Sequence, residues 1–590
     1  MSATLQQRTH GHDHLRDFSA DPRILILSAM AVVVGTGGAC AAWALLRLIN
    51  IVTNFAWFGR YSTDTALIQN SGLGIATVLI PVAGCLIIGL MARFGSEKIR
   101  GHGIPEAIEA ILIGRSRIQV RVALLKPLSS AISIGTGGPF GAEGPIIMTG
   151  GAIGSLFAQL FHLTNAERKT LLVAGAAAGM SATFGTPIAA MLLAVELLLF
   201  EWKPRSFVPV AVACVVAAGW RYWALGSAPL FSMLATGALP NSGLLLCILL
   251  GLICGLGSGL LTTLVYGTED LFQRLPIHWM WWPAIGGVVV GVGGLIDPHA
   301  LGVGYDSIQS LLNGGVTSSG AIRLLIVKAV IWAVALGSGT SGGVLAPLLI
   351  IGGVVGSLFG MEVSPTSTGM WPLVGMAAMM GGTMRAPLTA MMFGLELTHE
   401  INALVPLAIA CATAHTTTVL LMKRSILTEK VARRGHHIVR EYVVDPFEVT
   451  KVSQIMTTPV HTLRAGDTVG DTVAFFTAPD IPPRHKSYPV VDGDGRLVGV
   501  ISRADALQWL LEEAPTDVPL SEQLSGQDVV VGYDDEQVGR LADRMAASGK
   551  GRIPIVSRST GLLIGLVARR DVLAVRTHMM RHEREREAFI

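Results

Sequence analysis

Residues 135–145 read GTGGPFGAEGP, and a long apolar run follows them. A glycine-rich segment that leads into a proline at a helix start leaves free backbone N–H groups at the positive end of the helix dipole. Such an end binds anions. Residues 337–347, GSGTSGGVLAP, repeat the arrangement, and residues 101–105, GHGIP, open a third helix in the same way. Three such ends around one point can hold a small anion without a full cationic side chain, which would bind too tightly for rapid passage. Close helix packing explains any one of these glycine runs, but poorly explains the set.

Glu143 lies inside the first stretch. An ionised carboxylate among helix-end N–H groups imitates a bound anion and competes with it, and it leaves when protonated or displaced. One side chain can therefore gate a path and carry a proton. A helix-capping glutamate near the surface is the alternative at this point.

The surrounding composition fits a membrane setting. The 590 residues are 51% hydrophobic and 14% charged, with 69 glycines, which excludes a disordered chain and argues against one soluble domain. Roughly 39 charged residues fall in 1–422 and roughly 46 in 423–590, so a membrane body precedes a soluble tail. A formal charge of +3 is too small to imply nucleic acid. The six cysteines sit in apolar runs without metal-ligand spacing, so neither a disulfide framework nor a metal is expected. The run THGHDH at 9–14 reads as a polar tail rather than a metal site. The apolar run 24–49 is too long for a signal peptide and reads as a retained span.

Runs able to cross a bilayer occur at about 24–49, 72–93, 207–224, 242–266, 279–296 and 403–422. Between them lie shorter runs broken by Gly and Pro, near 104–114, 122–134, 145–162, 170–184, 187–200, 321–336, 345–360 and 387–398. Broken helices at membrane depth leave backbone groups unpaired at a cost of several kcal/mol each unless they face a cavity or ligand. They point to an internal site. Residues 150–157 (GGAIGSLF) and 352–359 (GGVVGSLF) match at an offset of 202, and 185–197 (GTPIAAMLLAVEL) pairs with 385–397 (RAPLTAMMFGLEL) at an offset of 200. Two halves with interrupted helices at matching places indicate a transporter-type fold with its site between the repeats. The basic residues Lys98, Arg100, Arg115, Arg117 and Arg121, and Lys423, Arg424, Arg433 and Arg434, place both stretches on the cytoplasmic side.

These stretches resemble the CLC family of chloride channels and proton-coupled chloride exchangers over about residues 20–435. Its three anion motifs are similar to GHGIP at 101–105, GAEGP at 141–145 and GGVLAP at 342–347, and 385–389 and 425–435 also match family patterns. The resemblance implies an all-α membrane domain of two inverted repeats, a homodimer with a separate pore in each subunit, and cytoplasmic termini. It implies anion contacts from Gly101, His102, Gly103, Ile104, Pro105, Gly141, Ala142, Gly144, Gly343, Val344, Leu345, Ala346 and Leu427. It makes Glu143 the external gating glutamate and Lys126 a buried positive charge beside the path.

The chain departs from the family at several of these positions. His102 stands for the usual serine, Leu345 for phenylalanine, Leu427 for the tyrosine that helps close the inner side, and Ala142 for the arginine before the gate. Leu197 stands where exchangers carry an internal proton glutamate, and its neighbour Glu196 is retained as a candidate on the proton path with Glu143. Two lost hydroxyl donors weaken central coordination by about 0.5–1.5 kcal/mol each. An imidazole N–H of His102 replaces part of that if it faces the anion; a packed histidine is the plainer alternative.

The tail is duplicated. Residues 489–507 (PVVDGDGRLVGVISRADAL) resemble 554–573 (PIVSRSTGLLIGLVARRDVL), each reading as strand, turn, strand and helix, with Asp-Gly turn signals at 492–495. This α/β pair resembles tandem CBS domains. That resemblance implies an adenine nucleotide (ATP, ADP or AMP) held by Ser502 and Asp505 in the first module and by Asp571 in the second, where Ala568 replaces the hydroxyl residue. A purely structural or dimerising tandem is the alternative, and no cofactor is required.

The expected organisation is a tail at 1–22, a transport domain at 23–422, a connector at 423–451, CBS modules at 452–512 and 522–580, and a charged tail at 581–590. The expected function is movement of chloride or a similar small anion, channel-like or loosely coupled to protons, in a bacterial inner membrane with the CBS pair cytoplasmic and regulatory. A strictly coupled exchanger is the first alternative. A CBS-bearing magnesium transporter is more remote, since only Glu143, Glu196 and Glu396 offer intramembrane carboxylates. An intramembrane hydrolase at Ser341, which satisfies GxSxG, lacks a preceding strand and an Asp-paired partner for His399 or His415.

Overall fold

The structure is a computed structural model that describes residues 22–226, 228–233, 239–363, 369–436, 447, 450–478, 485–527, 529–584 and 586–587. The polar run 9–14 and most of the 437–449 connector lie outside the described residues. The chain divides into two compact units near residue 436.

The first unit is helical. Its elements are α1 (Arg23–Phe58), α2 (Leu79–Phe94), α3 (Ile104–Leu112), α4 (Val120–Gly135), α5 (Glu143–Gln159), α6 (Asn165–Phe184) and α7 (Pro187–Leu193), which runs on into a π-helical turn (Ala194–Leu199). There follow α8 (Pro204–Leu225), α9 (Asn241–Gln273), α10 (Trp282–Ile296), α11 (Tyr305–Leu312), α12 (Ser318–Gly337), α13 (Leu345–Val363), α14 (Met370–Met384), α15 (Pro387–Thr398), α16 (Leu404–Leu421) and α17 (Ile426–Arg433). Among the described residues, eight helical segments are long and apolar enough to span a membrane.

Two of these eight, Ser318–Gly337 and Leu345–Val363, correct the sequence reading, which placed them among the shorter runs. The first is extended by its start: Thr317 accepts the Gly320 N–H, so the helix begins in the polar Ser318-Ser319 pair ahead of the apolar run. A further helix, α14, was not anticipated. All fifteen of its residues are buried, and a helix apolar on every side has no periodic face to reveal it.

Matching glycines join matching helices in the two halves. A Cβ on Gly150 would lie 2.2 Å from the Gly175 carbonyl oxygen, and one on Gly352 would lie 2.4 Å from that of Gly375. The same closeness recurs one turn later, at 2.1 Å between Gly154 and Leu171 and 2.1 Å between Gly356 and Trp371. Only glycine admits these contacts, which press α5 on α6 and α13 on α14.

The halves are inverted. The Gly74–Phe94 span separates the loop at 59–72 from the loop at 95–103, so these open on opposite faces. The first half's Lys126 serves the 99–101 loop, whereas the second half's 300–304 loop lines a cavity shared with residues 63–69.

The second unit holds two three-stranded sheets of one design. Strands β1 (Leu463–Arg464), β2 (Ser487–Val491) and β3 (Leu497–Ser502) lie in that order, with β1 parallel to β2 and β2 antiparallel to β3. Strands β4 (Gly532–Tyr533), β5 (Arg552–Val556) and β6 (Leu563–Ala568) repeat it, including an irregularity at Val490/Val491 and at Ile555/Val556. Helices α18 (Val469–Thr477), α19 (Arg503–Leu511), α20 (Leu520–Gln523), α21 (Val538–Ser548) and α22 (Arg569–Arg584) complete the unit. The cores do not follow the expected boundaries. Val452 packs with Val538, Leu541 and Ile553 of the second module, while Leu520 and Leu524 pack with Phe476 and Ile501 of the first. Short apolar segments ahead of each module thus cross to its neighbour.

Candidate functional site

The three glycine-rich stretches meet. Gly343 N–H donates to the Gly141 carbonyl at 2.9 Å, and Gly141 N–H donates back to Gly343 at 3.4 Å. Gly101 N–H donates to the Thr340 carbonyl at 3.2 Å, and Gly342 N–H donates to the Gly101 carbonyl at 3.4 Å. The starts of α3, α5 and α13 are thereby fixed around one point. Backbone at this depth is irregular and pairs with itself across the repeats, as a dry interior requires.

Glu143 is the first residue of α5 and is fully buried. A Cβ added at Gly141 would lie 1.8 Å from its Oε2, and one at Gly343 would lie 2.7 Å from the same atom. The carboxylate therefore fills a notch that two glycines of different repeats leave open. Neither of its oxygens has a hydrogen-bond partner among the described residues, although the amides of Glu143 itself and of Ala346 and the charge of Lys328 act on it. It is held by position and not by a hydrogen-bonded lock.

Lys126 is buried on α4 and donates from Nζ to the carbonyls of Ile99 at 2.8 Å and Gly101 at 2.7 Å. It orients the turn that carries residues 101–105. Sequence reading missed its twin: Lys328 on α12 is equally buried and donates to the carbonyls of Ala300 at 2.9 Å and Gly302 at 3.0 Å. The two lysines are 202 residues apart, the spacing of the glycine repeat, which is the signal that could have found the second.

His102 is buried, its Nδ1 lacks a hydrogen-bond partner among the described residues, and its carbonyl oxygen packs against Gly144. Gly103, Ile104 and Pro105 begin α3, but its first amide is already engaged: Gly103 N–H donates to Glu106 Oε2 at 2.9 Å. Glu106 Oε1 in turn meets Lys430 at 3.0 Å and Arg434 at 3.3 Å. This cluster was not singled out from sequence, although a glutamate three residues after a helix-opening glycine is a capping signal. Ala142, Val344, Leu345, Ala346 and Leu427 are all buried, with Leu345 opening α13 and Leu427 in the first turn of α17. Beside Leu427, the Tyr266 hydroxyl from α9 donates to the Ile426 carbonyl.

Glu196 bonds across to the other repeat. Its carboxylate accepts from Leu388 N–H at 3.2 Å, Thr389 N–H at 2.8 Å and the Thr389 hydroxyl at 2.6 Å, at the start of α15. Glu396 does the reverse at the start of α7, accepting from Ile188 N–H at 3.0 Å and Ala189 N–H at 2.8 Å. Leu197, next to Glu196, is buried in the π-helical turn.

The family description "Voltage gated chloride channel" matches residues 83–419, more than half of the chain. The chain belongs to the CLC family. A CBS domain matches residues 452–512. The H(+)/Cl(-) exchange transporter ClcA of Salmonella arizonae is 30% identical over 405 residues, covering 66% of this chain and 85% of the relative. The ClcA of Klebsiella pneumoniae is 29% identical over 408 residues with the same coverage. Among solved structures, a slow cyanobacterial Cl-/H+ antiporter aligns with a TM-score of 0.62 at 23% identity, over 70% of this chain and 99% of that one. A eukaryotic CLC transporter aligns with a TM-score of 0.60 at 22% identity, over 93% and 98%. These two likenesses show the fold.

CLC proteins carry anions across membranes and are not enzymes, which removes the hydrolase reading of Ser341. In this CLC chain the Ser341 hydroxyl is buried against those of Ser129 at 3.1 Å and Ser130 at 2.9 Å. In the CBS region Ser502 and Asp505 form a reciprocal cap on α19: Ser502 N–H and its hydroxyl each donate to Asp505 Oδ2 at 2.7 Å. Asp571 accepts from Ala568 N–H at 2.8 Å at the equivalent place in the second module.

Proposed function

We propose that this CLC protein moves chloride, or a similar small anion, through a separate path in each subunit of a homodimer, with Glu143 as the gate. The observation that carries the reading is the Glu143 carboxylate in the Gly141/Gly343 notch, where three helix starts meet. A chloride ion and this carboxylate compete for one set of N–H groups, so protonation or displacement of Glu143 opens the path. Gly101 through Pro105, Gly144 and Val344 through Ala346 line it, and Lys126 keeps its potential positive. His102 offers an imidazole to the anion, and Leu427 contributes no hydroxyl of its own to the inner side.

Transport is channel-like or loosely coupled to protons. Leu197 has no ionisable group, and Glu196 is committed to the start of α15. The strictly coupled exchanger is the second reading, favoured by the likeness to the H(+)/Cl(-) exchange transporter ClcA. The membrane is a bacterial inner membrane, with the termini and CBS modules cytoplasmic. The modules regulate transport and bind adenine nucleotide through Ser502, Asp505 and Asp571.

Chloride flux from liposomes with simultaneous pH recording separates the two readings. Loose coupling predicts chloride movement with little or no uphill proton transport. Robust proton pumping at a fixed ratio to chloride establishes the exchanger instead.

A further inference from the structure

Ser341 lies two residues before Gly343, inside the stretch 337–347, and it is fully buried. Its hydroxyl stands 3.1 Å from that of Ser129 and 2.9 Å from that of Ser130, both buried on α4. Ser129 is anchored in turn by donating to the Lys126 carbonyl at 2.9 Å. The same helix carries the Lys126 ammonium, which grips the Gly101 carbonyl. One helix of the first repeat therefore holds a glycine-rich stretch from each repeat, residues 101–105 through the lysine and residues 337–347 through the serines.

Three consecutive residues of the second of these stretches meet three different groups of the first repeat. Ser341 meets the α4 hydroxyls, while Gly342 packs on the Phe140 ring, 2.1 Å from where its Cβ would lie. Gly343 closes on the Glu143 carboxylate, at 2.7 Å on the same measure. The backbone bonds that join the stretches are mostly long, at 3.2, 3.4 and 3.4 Å beside one of 2.9 Å. Bonds of that length fix a spacing only loosely. The serine contacts are a second tie on the same backbone.

The other half builds an equivalent crossing without hydroxyls. There Gly302 N–H donates to the Gly137 carbonyl at 3.0 Å, as Gly101 N–H does to that of Thr340. At the 202-residue offset Ser129 and Ser130 correspond to Ile331 and Trp332, and Ser341 to Pro139. Apolar packing is thus enough to assemble the crossing. Hydroxyls add direction, so they fix a distance as well as fill a volume.

We propose that Ser341, tied to Ser129 and Ser130, is a positioning residue that sets the width of the gap beside Gly343 and with it the size of anion that passes. Once Ser341 is untied, Gly342 and Gly343 draw back from Gly141, and a larger anion such as nitrate gains on chloride. The proposal rests on the anion-transport reading and adds size selectivity to it.

Flux of chloride and of nitrate through the full chain in liposomes tests it. Ser341→Ala and Ser130→Ala are each expected to raise the nitrate-to-chloride flux ratio about threefold or more, the scale of one lost hydrogen bond. Ser130→Ala removes a single contact and keeps the test open if Ser341→Ala fails to fold. Ser133→Ala is the control, because Ser133 is buried on the same helix but its hydroxyl has no hydrogen-bond partner among the described residues. Its ratio should match wild type. An unchanged ratio in Ser130→Ala and in folded Ser341→Ala, whatever their melting temperatures, overturns the proposal, and so does an equal rise in Ser133→Ala. A wild-type protein that carries neither anion overturns the transport reading instead.

Discussion

Lys126 and Lys328 grip the backbone in the same way on opposite faces of the repeat, each Nζ donating to two carbonyls of a glycine turn. A buried ammonium is tolerated only with such partners, and each pair of carbonyls in turn depends on the ammonium. Replacing either lysine strands acceptors and removes a positive charge near the path.

Lys126→Met and Lys328→Met should therefore behave alike. Each is expected to lower stability by about 2 kcal/mol or more, from carbonyls left buried without donors. Each should also slow chloride flux, the first through the turn at Gly101 and the second through the charge felt by Glu143. Melting in detergent and flux from liposomes check both effects, and a silent Lys328→Met variant contradicts the pairing.

The reciprocal caps of Glu196 and Glu396 make a stability prediction with a transport control. Glu196→Gln and Glu396→Gln each weaken charge-assisted bonds to the opposite repeat, with an expected loss of about 1–2 kcal/mol in thermal or denaturant unfolding. Glu196→Gln should leave the ratio of protons to chloride moved per active protein as it was. A lost ratio returns Glu196 to the proton path.

In the CBS unit the caps differ in completeness. Asp505→Ala removes the two bonds that Ser502 donates to the carboxylate, leaves the Asp505 N–H bond to the Ser502 hydroxyl, and should cost about 1 kcal/mol, whereas Asp571→Ala removes one bond from a position whose partner has no hydroxyl and should cost less. Binding of ATP or AMP to the full chain, followed by titration calorimetry, should weaken most in Asp505→Ala. Equal binding by wild type and Asp505→Ala removes Ser502 and Asp505 from the nucleotide reading.

Much of the site was readable because its parts have local signatures. Clustered glycines followed by proline near a helix start are written contiguously, so 101–105, 141–145 and 342–347 stood out before any contact was known. What escaped depends on long-range packing. Lys328 looks like a stray charge on an apolar helix until the 202-residue offset is applied to it, and α14 has no polar face to mark it. The exchange of Val452, Leu520 and Leu524 between the CBS cores escaped for the same reason: apolar residues in a short helix declare burial but not the partner. Glu196 was read as a candidate on the proton path, and its bonds to Leu388 and Thr389, 192 and 193 residues away, were beyond any local pattern.

The gate is tested most directly by chloride flux from liposomes containing wild type or Glu143→Gln, across a range of pH. Acid protonates the carboxylate and releases it from the Gly141/Gly343 notch, so wild-type flux should rise as pH falls. Glu143→Gln has no charge to titrate and should carry chloride at a rate that pH leaves nearly flat. A variant with the same pH dependence as wild type contradicts the account, because the acidic switch then lies elsewhere in the chain.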